Sequence, residues 1–229
     1  MSFTERTDLL VGREKLKRLA GSTVLVFGIG GVGSYTAEAL VRAGVGTVIL
    51  VDNDTVSESN INRQLLALRS TVGMKKIDAA RERYMDINPD LKLYTYDHFI
   101  LPENCEEFFE SISSTCHSSP DYVCDCIDTV SGKLAIIEYC IAKGIPVISC
   151  MGTGNKLHPE LFRISDISKT NVCPLCRVMR KELKERNINH LDVLWSDEQP
   201  VRTGGTVSSI SYVPGAAGLM LAAHITERL

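Results

Sequence analysis

The sequence predicts an α/β protein, a doubly wound and mostly parallel sheet with a C-terminal extension of strands and helices, and two observations predict it. Short apolar runs rich in β-branched residues alternate with stretches of helical period from residue 23 to residue 150. Such runs suit strands buried on both faces, and their alternation with helices implies crossover connections. The second observation is the junction of the first strand with its helix, where glycines crowd a few residues.

Residues 8–20 carry Leu9, Leu10, Leu16 and Leu19 among charges, which predicts one short amphipathic helix, with Arg6 outside it and mobile. Thr23–Phe27 follows as the first strand, and Gly28, Gly30, Gly31 and Gly33 come directly after it. Glycines there can turn tightly and bring backbone N–H groups against phosphate, while the helix beginning near residues 31–34 points its positive end at the same place. Thr47–Val51 is the second strand and sets Asp52 at its carboxyl end, about 20 residues past the glycines, where an acid accepts from ribose hydroxyls. This Rossmann-like unit fits NAD and ATP equally well.

The loop after it is unusually polar, running through Asn53, Asp54, Ser57, Asn60, Asn62, Arg63 and Gln64. Residues 72–87 then read as a helix, with Ile77, Ala80, Tyr84 and Ile87 inward and Lys75, Lys76, Arg81 and Arg83 on the surface. Residues 91–96 read as a strand, 105–112 as a helix before an exposed Ser-rich loop (SSTCHSSP), and 122–127 as a strand delivering Asp125 and Asp128 to its carboxyl end. Residues 134–142 read as a helix and 146–150 as a buried strand. Beyond them, 161–164, 193–196 and 207–213 read as later strands, 174–186 as a helix, and the small-residue segment after Pro214 as a helix packed closely on another element. One domain over 1–229 is the simplest division, with 1–150 as a nucleotide-binding half and 151–229 as a substrate and dimer half.

The 229 residues are 44% apolar and 23% charged, with mean hydropathy +0.03 and formal net charge −3, so no global basic excess announces nucleic acid. The N-terminus has no signal-like apolar region and no run approaches a membrane span, which predicts a cytoplasmic protein. Its eight cysteines are therefore expected to stay reduced.

Asp52, Asn60, Arg63, Gln64, Lys76 and Asp128 cluster after successive strands and together suit ATP better than NAD. Attack on an α-phosphate expels pyrophosphate, whose growing charge needs cations placed beforehand: Arg63, Lys76 and a Mg²⁺ that Asp128 could hold.

Taken in order, GIGGVG, Asp52-Asn53-Asp54, Ser59-Asn60-Ile61-Asn62-Arg63-Gln64, Lys76 and Asp125-Cys126-Ile127-Asp128 resemble the ThiF and MoeB adenylating enzymes, relatives of ubiquitin-activating enzymes. The resemblance implies ATP-dependent adenylylation of a carboxylate, with Asp52 on ribose, Asn60, Arg63 and Lys76 around the phosphates and Asp128 on Mg²⁺. It also implies an N-terminal arginine, here Arg6, reaching the ATP of a partner subunit in a homodimer. Residues 151–188 and 209–222 look like the tRNA threonylcarbamoyladenosine dehydratase branch of that superfamily. That branch implies a modified tRNA as substrate, its threonine carboxylate activated by ATP and then closed on by its own carbamoyl group.

Competing readings are an activator of a ubiquitin-like or sulfur-carrier protein, an NAD-linked oxidoreductase, and a non-catalytic scaffold. A sulfur-transfer protein is a further candidate partner. Cys173 and Cys176 form a lone CxxC, and two ligands do not close a tetrahedral zinc site. Cys124 and Cys126 read as packing residues. Arg177, Arg180, Lys181 and Lys184 recur at helical spacing as a basic stripe, suited equally to a tRNA backbone or to solvent. Gly152 to Lys156 form a loop at another strand end that suits either a substrate-shaping role or a plain turn, and His98, His117, His158, His190 and His224 show no ligand spacing.

Overall fold

The computed structural model describes residues 3–116, 119–201, 204–205 and 207–229, so His117 lies outside the described residues. Seven strands form one sheet in the order β3-β2-β1-β4-β5-β7-β6. They are β1 (Thr23–Phe27), β2 (Thr47–Val51), β3 (Lys92–Tyr96), β4 (Tyr122–Asp125), β5 (Val147–Cys150), β6 (Phe162–Asp166) and β7 (Asp192–Ser196). All neighbours are parallel except β6, which runs antiparallel to β7 and pairs Phe162 with Ser196.

The strand order reverses between β1 and β4, and ligands of open α/β sheets bind in the crevice at such a point. Alternation along β1 sends Val24 and Val26 to one face and Leu25 and Phe27 to the other, all fully buried. Helices α3 (Gly33–Ala43), α4 (Lys76–Ile87) and α8 (Tyr212–Arg228) cover the first face, through Leu40, Tyr84 and Leu221. On the second, α5 (Cys105–Cys116) and α6 (Val130–Lys143) bring Phe108, Phe109 and Ile136. A third cluster, with Ile137, Met179, Leu183 and Trp195, joins α6, α7 (Pro174–Glu185) and β7. Among the described residues no helix is long and apolar enough to cross a membrane.

Three expectations need correction. The N-terminal helix is two helices, α1 (Glu5–Val11) and α2 (Arg13–Gly21), broken at Gly12 with φ +82°, and Arg6 lies inside α1 as an exposed residue. The strand expected at 207–213 is absent: residues 207–211 are extended or turning, with Val207 76% exposed, and α8 already begins at Tyr212. Pro214 sits in the first turn of α8, where its missing N–H costs no helical bond. The Ser-rich stretch is helical up to Cys116, the end of α5.

The small residues of α8 do pack closely, against α3. A Cβ on Gly218 would lie 2.4 Å from the Val32 carbonyl oxygen, and the Gly218 carbonyl accepts from Thr36 Oγ1 at 3.1 Å. The glycine loop is tighter still, because a Cβ on Gly33 would stand 1.8 Å from the Gly28 carbonyl oxygen. Gly33→Ala is therefore expected to cost about 3 kcal/mol, at the upper end of overpacking penalties. Thermal melting checks this, and a wild-type melting temperature would contradict it.

Candidate functional site

A cleft of about 490 Å³ opens at the carboxyl ends of β1, β2, β4 and β5. On one wall Gly28, Gly30 and Gly31 carry the chain into α3, whose N-terminus no side chain caps. The Ser34 N–H donates to the Gly30 carbonyl at 3.2 Å, and a phosphate in the cleft could satisfy the other N–H groups of this turn. The loop is held from behind: Ser34 Oγ donates to the Gly30 carbonyl at 2.6 Å and Tyr84 Oη to the Ser34 carbonyl at 2.8 Å. Gly28 has φ +77°, and its N–H donates to the Val51 carbonyl at 2.8 Å, fastening the turn to the end of β2.

Asp52 directly follows β2, beneath this turn. Its Oδ2 accepts the Ile29 N–H and its Oδ1 the Asp54 N–H, at 2.8 and 2.9 Å. Lys76 Nζ stands 3.6 Å from Asp52 Oδ1 and 2.6 Å from Asp54 Oδ2. The side chains of Lys76 and Asp52 are 5% and 7% exposed, so Lys76 is a buried counter-charge rather than the surface lysine its spacing in α4 suggests. Burial pushes the Asp52 carboxyl above its ordinary range, against the pull of Lys76.

Arg63, Asn60 and Gln64 line the same cleft. Asn60 Oδ1 caps a short 3-10 turn by accepting the Ser57 N–H at 3.1 Å. Arg63 Nη1 donates to the Ser59 carbonyl and to Asn62 Oδ1, at 3.1 and 2.9 Å. Asn62 in turn donates to the Ser209 carbonyl at 3.1 Å, which ties this loop to the segment before α8.

Across the cleft stand Cys126, Ile127, Asp128 and Thr129, which follow β4. Asp128 is exposed on this wall. Among the described residues no group of three or more His, Cys, Asp or Glu side chains is arranged to hold a metal ion. A lone carboxylate facing a phosphate-binding wall nevertheless fits Mg²⁺, which commonly takes one or two carboxylates and completes its shell with substrate phosphates and water.

Asp125 does not line the cleft. It is fully buried, and Lys133 Nζ donates to its Oδ2 at 3.0 Å, to Ser149 Oγ at 3.1 Å and to the Cys150 carbonyl at 2.7 Å. Asp125 Oδ1 accepts the Ile127 N–H at 3.2 Å, so this network sets the loop that carries Asp128. Nothing at sequence level pointed to Lys133 or Ser149, because neither stands in a recognisable motif.

Met151, Gly152, Thr153 and Gly154 line the far end of the cleft with Leu175 and Val207, whereas Lys156 turns inward, 3% exposed, and donates to the Glu198 carbonyl at 2.8 Å. Sequence reasoning also missed His98, Phe99 and Ile100, which line the cleft just past β3. Their place after a parallel strand was the available signal. Arg6 does not line the cleft of its own chain. Cys173 and Cys176 are buried at the start of α7. A hydrogen bond from Cys176, with backbone N–H groups behind it, draws the Cys173 thiol below its ordinary value despite its burial, and the same bond pushes Cys176 up. Cys124 and Cys126 lie with sulfurs 3.6 Å apart.

Comparison with known proteins bears on this cleft. The ThiF family model matches residues 5–229. The Bacillus subtilis (strain 168) tRNA threonylcarbamoyladenosine dehydratase is 40% identical over 243 residues, covering 98% of this chain and 93% of that protein. The Escherichia coli (strain K12) protein of the same name is 39% identical over 178 residues, covering 78% of this chain and 64% of its own length. A crystal structure of the E. coli enzyme, TcdA, in complex with ATP superposes with a TM-score of 0.88 at 32% identity, covering 97% of this chain and 91% of that one.

Proposed function

The chain belongs to the ThiF family, and on that premise we propose that it is an ATP-dependent dehydratase acting on threonylcarbamoyladenosine in tRNA. The observation that carries the proposal is the convergence, in one cleft, of the glycine turn, the Asp52–Lys76 pair, Arg63 and Asp128. An ATP complex of a relative with the same fold supports the nucleotide assignment.

In the proposed reaction Asp52 accepts from the ribose hydroxyls while the glycine turn and Asn60 hold the phosphates. One oxygen of the threonine carboxylate attacks the α-phosphorus, and the bond from that phosphorus to the β-phosphate oxygen breaks. Lys76 and Arg63 meet the charge that grows on pyrophosphate, and cations fixed beforehand need little rearrangement to do so. Asp54 Oδ2 belongs to a largely exposed side chain, so phosphate can take its place on Lys76. Mg²⁺ at Asp128, when bound, neutralises phosphate oxygens. The substrate's carbamoyl group then closes on the acyl carbon and expels AMP, with loss of a proton. Because the nucleophile belongs to the substrate, proximity supplies this step and no protein thiol is required. Cys173 and Cys176, 2% and 0% exposed, take no part, so a sulfur-transfer protein is retained as a candidate partner and not as a reactant.

The proposal places the enzyme in the cytoplasm as a homodimer, with residues 151–229 supplying the substrate and dimer half. Helix α1 supports an assembly: it buries none of its residues, Leu9 and Leu10 are 84% and 86% exposed, and Arg6 projects from it to serve a partner's ATP.

Incubation with ATP, Mg²⁺ and tRNA bearing threonylcarbamoyladenosine is expected to yield a nucleoside lighter by one water. An unchanged nucleoside, with AMP formed only when a protein ending in Gly-Gly is added, would replace this reading with carrier-protein activation. Asp128→Asn is expected to lower AMP formation by about a hundredfold and to raise the Mg²⁺ concentration needed for half-maximal rate. An unaltered Mg²⁺ dependence would remove Asp128 from the metal.

A further inference from the structure

Resting on the reading that the substrate is a tRNA, we infer that the exposed face of α7 is the surface that docks the RNA backbone, through Arg177, Lys181 and Lys184. The chain carries a formal net charge of −3, so affinity for a polyanion requires its cations to be segregated locally. Helix α7 segregates them. Arg177, Lys181 and Lys184 lie at i, i+4 and i+7 on its exposed side, spanning about 10 Å at 1.5 Å per residue.

The acids that could neutralise this face are mostly engaged elsewhere. Glu182 accepts from Arg186 Nη1 at 2.9 Å, and Arg186 Nε also holds Glu138 at 3.3 Å. Glu185 lies 3.9 Å from Lys181, both side chains largely in water, where such a pair is weak. Among the described residues Arg177 and Lys184 have no ion pair. Arg180 does not belong to the stripe, because its Nη1 donates to the Thr170 carbonyl at 2.8 Å.

Position completes the argument. The first turn of α7 forms part of the cleft through Leu175, and Gly152 beside it lies against Cys173. The stripe therefore starts within one turn of the far end of the cleft and leads away along the surface. Another cationic helix, α2, ends just before β1, at the amino ends of the strands and away from the cleft at their carboxyl ends. Its pairs, Arg13 3.9 Å from Asp8 and Lys17 3.0 Å from Glu14, are as exposed as that of Lys181, so its distance from the cleft is what sets α2 apart, and it serves as the control.

The test is binding of an unmodified tRNA transcript to the full chain over a range of salt concentrations, which requires no turnover. Arg177→Gln/Lys181→Gln/Lys184→Gln is compared with wild type and with the α2 control Lys17→Gln/Arg18→Gln. The triple variant is expected to bind at least about tenfold more weakly and to lose about 0.7–0.9 of log–log salt slope per phosphate contact removed. Its ATP affinity and the affinity of the α2 control for tRNA are expected to match wild type. Equal tRNA affinity and slope in the triple variant, or a loss confined to the α2 control, overturns the inference. Wild-type protein that binds tRNA through α7 yet leaves threonylcarbamoyladenosine unchanged would sustain the inference and overturn the proposed reaction. Wild-type protein that binds no tRNA overturns both.

Discussion

Lys76→Met is expected to reduce ATP-dependent AMP formation by about two to three orders of magnitude, the size of effect produced by removing one preorganised charge partner of a transition state. In the proposed reaction Lys76 meets the charge of the departing pyrophosphate, so the loss falls mainly on kcat. Methionine keeps much of the stem's volume, which separates loss of charge from loss of packing. The fold does not escape altogether, because Asp52 is buried beside Lys76 and would keep only its two backbone donors. Burial already holds the Asp52 carboxyl above its ordinary value of 3.8, and the variant lacks the cation that restrains that rise. An acid whose folded pKa is raised costs stability as pH climbs from the unfolded value through the folded one. The melting-temperature gap between wild type and Lys76→Met should therefore be smaller near about pH 4 than near about pH 8. A rate close to wild type would remove Lys76 from the chemistry.

Lys133→Met is expected to destabilise the protein by about 3–5 kcal/mol, the cost of breaking a buried pair from one side. Lys133 and Asp125 are both fully buried, and Met would leave Asp125 and Ser149 without their shared donor. At about 2–4 °C per kcal/mol for a chain of this size, a fall in melting temperature of roughly 10 °C follows. Replacing both partners with apolar residues, as in Lys133→Met/Asp125→Leu, should recover much of that loss, since no buried charge is then uncompensated. The double variant should still be impaired in AMP formation, because the loop carrying Asp128 hangs on Asp125 Oδ1. Burial lowers the Lys133 pKa, but Asp125 more than offsets this and holds it above the ordinary 10.5. The stabilisation is then fully present below 10.5 and fades only in more alkaline solution, as pH rises through the raised value. A single variant that melts with wild type would refute the network's structural role.

The central strands were legible in the sequence because burial on both faces leaves a continuous apolar signature. Thr23–Phe27 and Thr47–Val51 match the observed strands residue for residue. Asp52 and the glycine turn were legible for a related reason, as their spacing is local. Contacts between distant segments were not. The spacing of α4 places Lys76 on a charged surface, and only the packing of α4 beneath β2 sets it beside Asp52. Asp125 read as a second acid on the ligand side, yet Lys133 and Ser149 claim it in the interior. In residues 207–213 apolar and polar residues imitate a strand, but Val207 finds no core and the chain turns into α8 two residues before Pro214. Gly12, in turn, divides what the leucine spacing presents as one helix.

The central claim is that the substrate carboxylate attacks the α-phosphorus of ATP in the cleft between the glycine turn and Asp128. The most direct measurement uses tRNA whose threonylcarbamoyladenosine carries heavy oxygen in the threonine carboxylate, followed by mass analysis of the nucleotide products. Adenylylation and cyclisation pass one carboxylate oxygen to phosphorus, so the label is predicted in AMP and absent from pyrophosphate. Label in inorganic phosphate with formation of ADP, or unlabelled AMP beside a cyclised nucleoside, would contradict the account.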